Sequence, residues 1–286
     1  MKHCPICKNT DFIPFLKTRD YFYSQEKFQI IQCTQCGFRI TEPIPSPEEI
    51  GQYYDSENYV SHNSSASGLI NALYKKAQSL NFYLKYPSIN KYVPRGTWMD
   101  YGAGNGAFVQ YLKSKNIEAV GYEPSESARL HSVHKLEDSS LYKSDQNKYA
   151  CITMWHVLEH VHDLNDILSQ HYNHLQPDGA LVIAVPNIDS CDAQYYGPEW
   201  AALDTPRHLW HFTESDLKKL LNNHNFQYLN KKGMILDSFY VSLLSEKYKK
   251  GFKPLGILVG LYSNLLALLK RRPYSSQIYI FRKKSP

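Results

Sequence analysis

The stretch Trp98-Met99-Asp100-Tyr101-Gly102-Ala103-Gly104-Asn105-Gly106 constrains this chain more than any other, because it leads an apolar strand end through three glycines into a helix. Val93 to Tyr101 reads as a strand, and Ala107 to Leu112 has the apolar spacing of an amphipathic helix. The glycines therefore stand at a strand-to-helix corner. At such a corner backbone N–H groups can approach a ligand that side chains would otherwise block.

Spacing decides among the possible ligands. The dinucleotide fingerprint is G-x-G-x-x-G, whereas here Gly102, Gly104 and Gly106 alternate with other residues and Asp100 stands two positions before the first. That mismatch disfavours a nicotinamide dinucleotide. A second short strand, Ala119-Val120-Gly121-Tyr122, ends in Glu123-Pro124-Ser125. In a doubly wound sheet this strand end lies beside the first glycine turn, where a carboxylate can accept both hydroxyls of a ribose. Together, Asp-x-Gly-x-Gly-x-Gly and Val-x-Gly-x-Glu-Pro-Ser resemble the class I methyltransferases that use S-adenosylmethionine (SAM), from about residue 95 onward. The resemblance implies an α/β fold with a Rossmann-like seven-stranded sheet. It also implies a cofactor site built from Asp100, Gly102, Gly104, Gly106, Glu123 and Trp155.

The cysteines mark a separate module. Cys4-Pro5-Ile6-Cys7 and Cys33-Thr34-Gln35-Cys36-Gly37 are two C-x-x-C turns flanking one loop, the paired-knuckle spacing of a four-thiolate zinc site. Four sulfur ligands leave no open position, so such a zinc is structural. Two disulfides are the alternative reading, disfavoured in a reducing compartment. The N-terminus has no apolar run to serve as a secretory signal, and a cytoplasmic location is expected. The chain accordingly divides into a zinc ribbon over 1–42, a helical linker and cover over 43–92, and a methyltransferase domain over 93–286. In the linker, Leu69, Ile70, Leu73, Tyr74, Ala77, Leu80 and Leu84 fall at helical spacing.

A second chemical cluster follows the apolar strand Tyr149 to Met154, in the run Trp155-His156-Val157-Leu158-Glu159-His160. Reacting groups in open α/β sheets sit at the carboxyl ends of strands, which makes His156 the expected general base. Val-Leu-Glu-His also resembles a segment of small-molecule methyltransferases in which the Glu-His pair is structural. Some quinone and RNA O-methyltransferases hold a divalent ion with Glu-x-x-Glu-His. Here His156 replaces the first Glu, so a set of His156, Glu159 and His160 would suit Mn, Fe or Zn better than Mg. No Asn/Asp-Pro-Pro-aromatic segment follows the strand, which disfavours methylation of base or amide nitrogens.

The strand Ala180 to Val185 leads into a long loop of polar and aromatic residues, and such loops build acceptor sites. Arg207 is a candidate to grip an acidic group on the acceptor, or else to pair with Asp204. Trp200 is a candidate to stack on a sugar or ring, or else to fill core, and His208 is the second candidate base. Thr213 is placed to cap a helix over 214–221, with strands expected near 226–239 and 277–281. Between these strands lies the apolar run Leu255 to Leu269, with basic residues on both sides. It is too short to span a bilayer; it either packs against protein or lies on an anionic membrane.

A formal charge of +5 is too mild to imply nucleic acid, and no arginine-rich segment offers to track its backbone. The expected activity is methyl transfer from SAM to a hydroxyl or carbon of a small-molecule, sugar or lipid-linked glycan acceptor. An N-terminal four-cysteine module before this domain resembles the sugar C-methyltransferases of deoxysugar pathways. The rival reading is a catalytically weak SAM-fold protein that docks a partner through its zinc ribbon. Oligomeric state is left open by the sequence.

Overall fold

The computed structural model describes residues 3–54, 85–123 and 148–284 of the chain. The helix expected over Leu69 to Leu84 and the Pro124-Ser125 segment lie outside the described residues.

The N-terminal module is an antiparallel meander of β1 (Phe12–Arg19), β2 (Lys27–Cys33) and β3 (Arg39–Glu42). Asp20 closes the first turn, its carboxylate accepting from the backbone N–H groups of Phe22, Tyr23 and Ser24. Gly37, at φ 81°, makes the second knuckle by returning its N–H to the Cys33 carbonyl.

The larger sheet contains β4 (Thr97–Tyr101), β5 (Ala119–Tyr122), β6 (Tyr149–Trp155) and β7 (Leu175–Pro186). The two-residue β8 (Trp210–His211) does not join it; it pairs with β3 and becomes the fourth strand of the N-terminal sheet. β9 (Phe226–Gly233) and β10 (Ser276–Lys283) complete the larger sheet in the order β5-β4-β6-β7-β10-β9. Among the described residues this sheet therefore has six strands, against the seven expected. β5, β4, β6 and β7 run parallel, while β10 is antiparallel to both neighbours. Tyr149 to Met154 of β6 and Ala180 to Pro186 of β7 are all buried, consistent with strands covered on both faces.

Helix α1 (Ala107–Ser114) follows β4 and buries Phe108, Val109, Tyr111 and Leu112. Helix α2 (Leu164–His174) starts at Asp163, whose carboxylate accepts from Asn165 and Asp166 N–H. After the short α3 (Cys191–Tyr196), helix α4 (Glu214–Asn223) opens with a capping box between Thr213 and Asp216. The strand expected over 226–239 stops at Gly233, where an added Cβ would collide with the Tyr274 ring. From Ile235 the apolar residues recur at helical spacing instead, and α5 (Ile235–Tyr248) turns back against α6 (Lys253–Leu268). Among the described residues no helix is long and apolar enough to cross a membrane.

Candidate active site

The glycine corner is built as its spacing suggests. Gly102, Gly104 and Gly106 have φ of 76°, 54° and 76°, conformations that side chains resist. The N–H groups of Gly102 and Ala103 both donate to the Tyr122 carbonyl, which ties the corner to the end of β5. A Cβ at Gly102 would strike Val157 Cγ2, so the turn after β6 packs directly on the corner, whereas a Cβ at Gly104 would meet nothing within 4 Å among the described residues. Glu123, buried at the end of β5, accepts from Gly104 N–H at 2.8 Å. Asp100 is buried at the end of β4 and accepts from Thr153 Oγ1 at 2.6 Å. Burial raises its pKa to about 7, with the Thr153 hydrogen bond opposing and the Glu123 charge adding to the rise. Trp155 packs edge-on to Phe108, and its buried indole N–H has no hydrogen-bond partner among the described residues. The six cofactor residues expected from sequence thus gather around the carboxyl ends of β4, β5 and β6, where the strand order reverses.

His156 follows β6 in the left-handed region, at φ 54°, with its N–H donating to the Ala184 carbonyl. Its ring lies 3.4 Å from Glu159 Oε1 and 3.2 Å from Asp237 Oδ2. Burial alone would lower its pKa, but the hydrogen bonds and charges of Asp237 and Glu159 win and raise it to about 9. At neutral pH His156 is an imidazolium held between two carboxylates. A ring held in that form is a poorer proton acceptor than a free imidazole. Asp237, from the segment read as a strand, escaped the sequence analysis because its helix was not recognised.

The groups that do converge are Glu159, His160 and His208, whose ligand atoms all lie within 4.8 Å of one another. Glu159 sits on the 3-10 turn Leu158–His160 and is 1% exposed; burial pushes its pKa up, but the His156 hydrogen bond and the charges of His208, His156 and His160 together outweigh burial and keep it lowered. Neither of its oxygens receives a well-formed hydrogen bond among the described residues. His160 Nδ1 lies 3.0 Å from the Arg207 carbonyl, a pure acceptor, which fixes the proton there and leaves Nε2 with its lone pair. Burial and neighbouring His208 hold its pKa down at about 4, so it is neutral. His208 Nδ1 is likewise 2.9 Å from the Ala202 carbonyl. Tyr54, whose hydroxyl is 2.9 Å from His160 Nδ1, is a further residue that no motif pointed to.

The loop that carries His208 is stitched down from two sides. Leu209 N–H donates to the Glu159 carbonyl, and Trp210 Nε1 donates to the Val161 carbonyl. From the N-terminal sheet, Thr41 Oγ1 donates to the His208 carbonyl at 2.7 Å. Arg207 is 1% exposed, and its guanidinium is spent on Asp20, Asp204 and the Tyr53 carbonyl. Its expected grip on an acceptor is therefore corrected to the ion-pair alternative, and the pair spans both modules. Trp200 is also buried, with Nε1 donating to Asp192 Oδ2, so it fills core and faces no acceptor.

Cys4, Cys7, Cys33 and Cys36 converge as the knuckles imply, and all are free thiols. The Cys4–Cys36 and Cys7–Cys33 sulfurs are 3.6 and 3.5 Å apart. A disulfide needs about 2.05 Å. Sulfurs at tetrahedral corners about 2.3 Å from a zinc ion stand about 3.8 Å apart, so the set fits that ion.

A family described as "Methyltransferase domain" matches residues 71–231. No curated protein matches the sequence. Among solved structures, the chain is similar to the Haemonchus contortus phosphoethanolamine N-methyltransferase 2 in complex with SAM. That match has a TM-score of 0.52 at 14% identity, covering 96% of this chain and 69% of that one. It is also similar to the Burkholderia thailandensis 1,6-didemethyltoxoflavin-N1-methyltransferase, with a TM-score of 0.51 at 14% identity over 95% and 99% of the two chains. With its parallel strands, glycine corner and strand-end carboxylates in this arrangement, the chain belongs to the methyltransferase-domain family and is a SAM-dependent methyltransferase.

Proposed function

We propose that this enzyme moves the methyl of SAM to a hydroxyl or carbon of a small-molecule, sugar or lipid-linked glycan acceptor. The observation that carries this reading is the convergence of Glu159, His160 and His208, the first two just after Val157, which packs on the glycine corner. In the reaction an O–C or C–C bond forms as the sulfonium C–S bond breaks, S-adenosylhomocysteine departs, and the acceptor's proton passes to a base. A neutral amine already carries its lone pair. A hydroxyl or carbon acid needs the base, and an ionised Glu159 beside a neutral His160 supports that role. For the cofactor, Glu123 is assigned the ribose hydroxyls, with Asp100, Trp155 and the corner of Gly102, Gly104 and Gly106 enclosing the rest. We assign the four thiolates a structural zinc, and the free thiols favour a cytoplasmic setting.

The test supplies extract fractions with methyl-labelled SAM and follows label into products. Glu159→Gln and His208→Ala are expected to lower kcat by about 10²- to 10⁴-fold while SAM affinity holds. Full turnover in both variants, or label on amines alone, contradicts the reading. SAM binding with no labelled product from any fraction favours the partner-docking alternative.

A second reading rests on buried Glu159, whose Oε2 has no hydrogen-bond partner among the described residues while Oε1 meets only the His156 ring, at 3.4 Å. Glu159, His160 and His208 form a two-nitrogen, one-carboxylate set suited to Mn or Fe, with open positions for acceptor oxygens. His156, expected in that set, is turned toward Asp237 as well as Glu159. Loss of turnover on chelation, restored by Mn or Fe with the zinc retained, would support the metal; insensitivity to chelators leaves the base.

A further inference from the structure

The hairpin of α5 and α6 is inside out for a protein surface. In α6 the residues turned inward are small: Gly256, Val259, Gly260, Ser263, Asn264 and Ala267. The fit against α5 demands this, because a Cβ on Gly256 would lie 2.9 Å from the Leu243 backbone and one on Gly260 3.0 Å from Phe239. The complementary stripe carries the bulk, with Leu258, Leu261, Tyr262, Leu265, Leu268 and Leu269 between 49% and 69% exposed. α5 repeats the inversion. It buries Ser238, Ser242 and Ser245 and exposes Ile235, Leu236, Tyr240 and Leu243, while Phe252 at the hairpin turn is 72% exposed. Soluble proteins scatter exposed apolar residues singly; a contiguous stripe over two helices marks an apolar partner.

Charge identifies the partner. Lys247, Lys249, Lys250 and Lys253 flank the turn of the hairpin and Lys270, Arg271 and Arg272 follow α6, all of them exposed. The only acids between residues 235 and 272 face inward: Asp237 pairs with His156, and buried Glu246 accepts from the Tyr196 hydroxyl. An apolar stripe bounded at both ends by cations that make no ion pair among the described residues matches an anionic bilayer surface, where rings and aliphatic chains enter the acyl boundary and ammonium groups meet headgroups. At about 1.5 Å per residue, the 16 residues of α6 fall short of the hydrocarbon core, so the hairpin lies in the interface and does not span it.

We infer that the α5–α6 hairpin seats this enzyme on an anionic membrane surface. Through Asp237 the first turn of α5 also forms part of the wall around His156, so the seated hairpin holds the active site at the lipid boundary. This deepens the proposed function, on which it rests for chemistry, by favouring the lipid-linked acceptor over a freely soluble one.

The experiment is co-sedimentation of the full chain with phosphatidylcholine vesicles containing about one-third phosphatidylglycerol, and with phosphatidylcholine alone, alongside gel filtration. Binding to the anionic vesicles is expected to exceed binding to the neutral ones by about tenfold at low salt and to fall as salt screens the cations. The triple variant Leu258→Ser, Leu261→Ser, Leu265→Ser should lose it while calorimetric SAM affinity stays at the wild-type value. Replacing Lys270, Arg271 and Arg272 by Glu should abolish only the preference for anionic lipid. Equal sedimentation of wild type and serine variant overturns the proposal. So does a wild type that ignores both vesicles but elutes as a dimer that the serine variant dissolves, which would make this face an interface between copies. Neither measurement involves methyl transfer, so failure here is distinguishable from failure of the catalytic reading.

Discussion

His156 shows how two contacts set a residue's charge and so its role. Because Asp237 and Glu159 raise its pKa to about 9 from an unfolded value near 6.5, the imidazolium favours the folded state. That contribution is fully present below about pH 6.5 and is lost as pH rises through about 9. His156→Asn keeps a residue that tolerates the left-handed backbone but removes the charge. Thermal unfolding at a series of pH values should therefore find the wild-type advantage largest at pH 6 and shrinking toward pH 10. A constant difference would mean that the ion pairs contribute nothing. Arg207 makes the opposite case, a buried cation already matched by Asp20 and Asp204. Arg207→Ala strands two acids around an empty guanidinium site and is expected to cost about 3–5 kcal/mol in denaturant unfolding. A loss below about 1 kcal/mol would show that water replaces the fork. The sequence offered Arg207 and Asp204 as neighbours; Asp20 was invisible, because that contact joins residues brought together only by the docking of two modules.

At the scale of elements, the N-terminal sheet does more than gather four cysteines. β3 pairs with β8, and Thr41 holds the His208 carbonyl, so the module braces the loop that delivers one of the converging imidazoles. We predict one tightly held zinc per chain by elemental analysis, lost in Cys33→Ser. Its removal should unfold the meander and lower kcat through misplacement of His208, while SAM affinity, which depends on β4 and β5, persists. A zinc-free variant with unchanged kcat would show that the loop stands without its brace. The knuckles were legible because C-x-x-C is a local pattern. β8 was not, since two residues carry no periodicity and their partner strand lies far away in the chain. The same limit hid α5: a run rich in apolar residues after a strand reads as more strand until Gly233 meets Tyr274.

Across the whole molecule, the half of the site made by one continuous strand-helix-strand unit is legible in the sequence, and the half assembled from separate elements is not. The glycine corner and Glu123 belong to the first kind; the grouping of Glu159 and His160 with His208, and of His156 with Asp237, belongs to the second. All of it depends on β5 ending beside the glycine corner, so that Glu123 and the Gly104 N–H meet there. Isothermal titration of SAM into wild type and Glu123→Ala tests that placement most directly. Wild type should bind one SAM per chain, and the variant should bind it about 1–3 kcal/mol more weakly, the loss of a charged acceptor for two hydroxyls. Equal affinity in the two proteins, or no binding to wild type, would contradict the account.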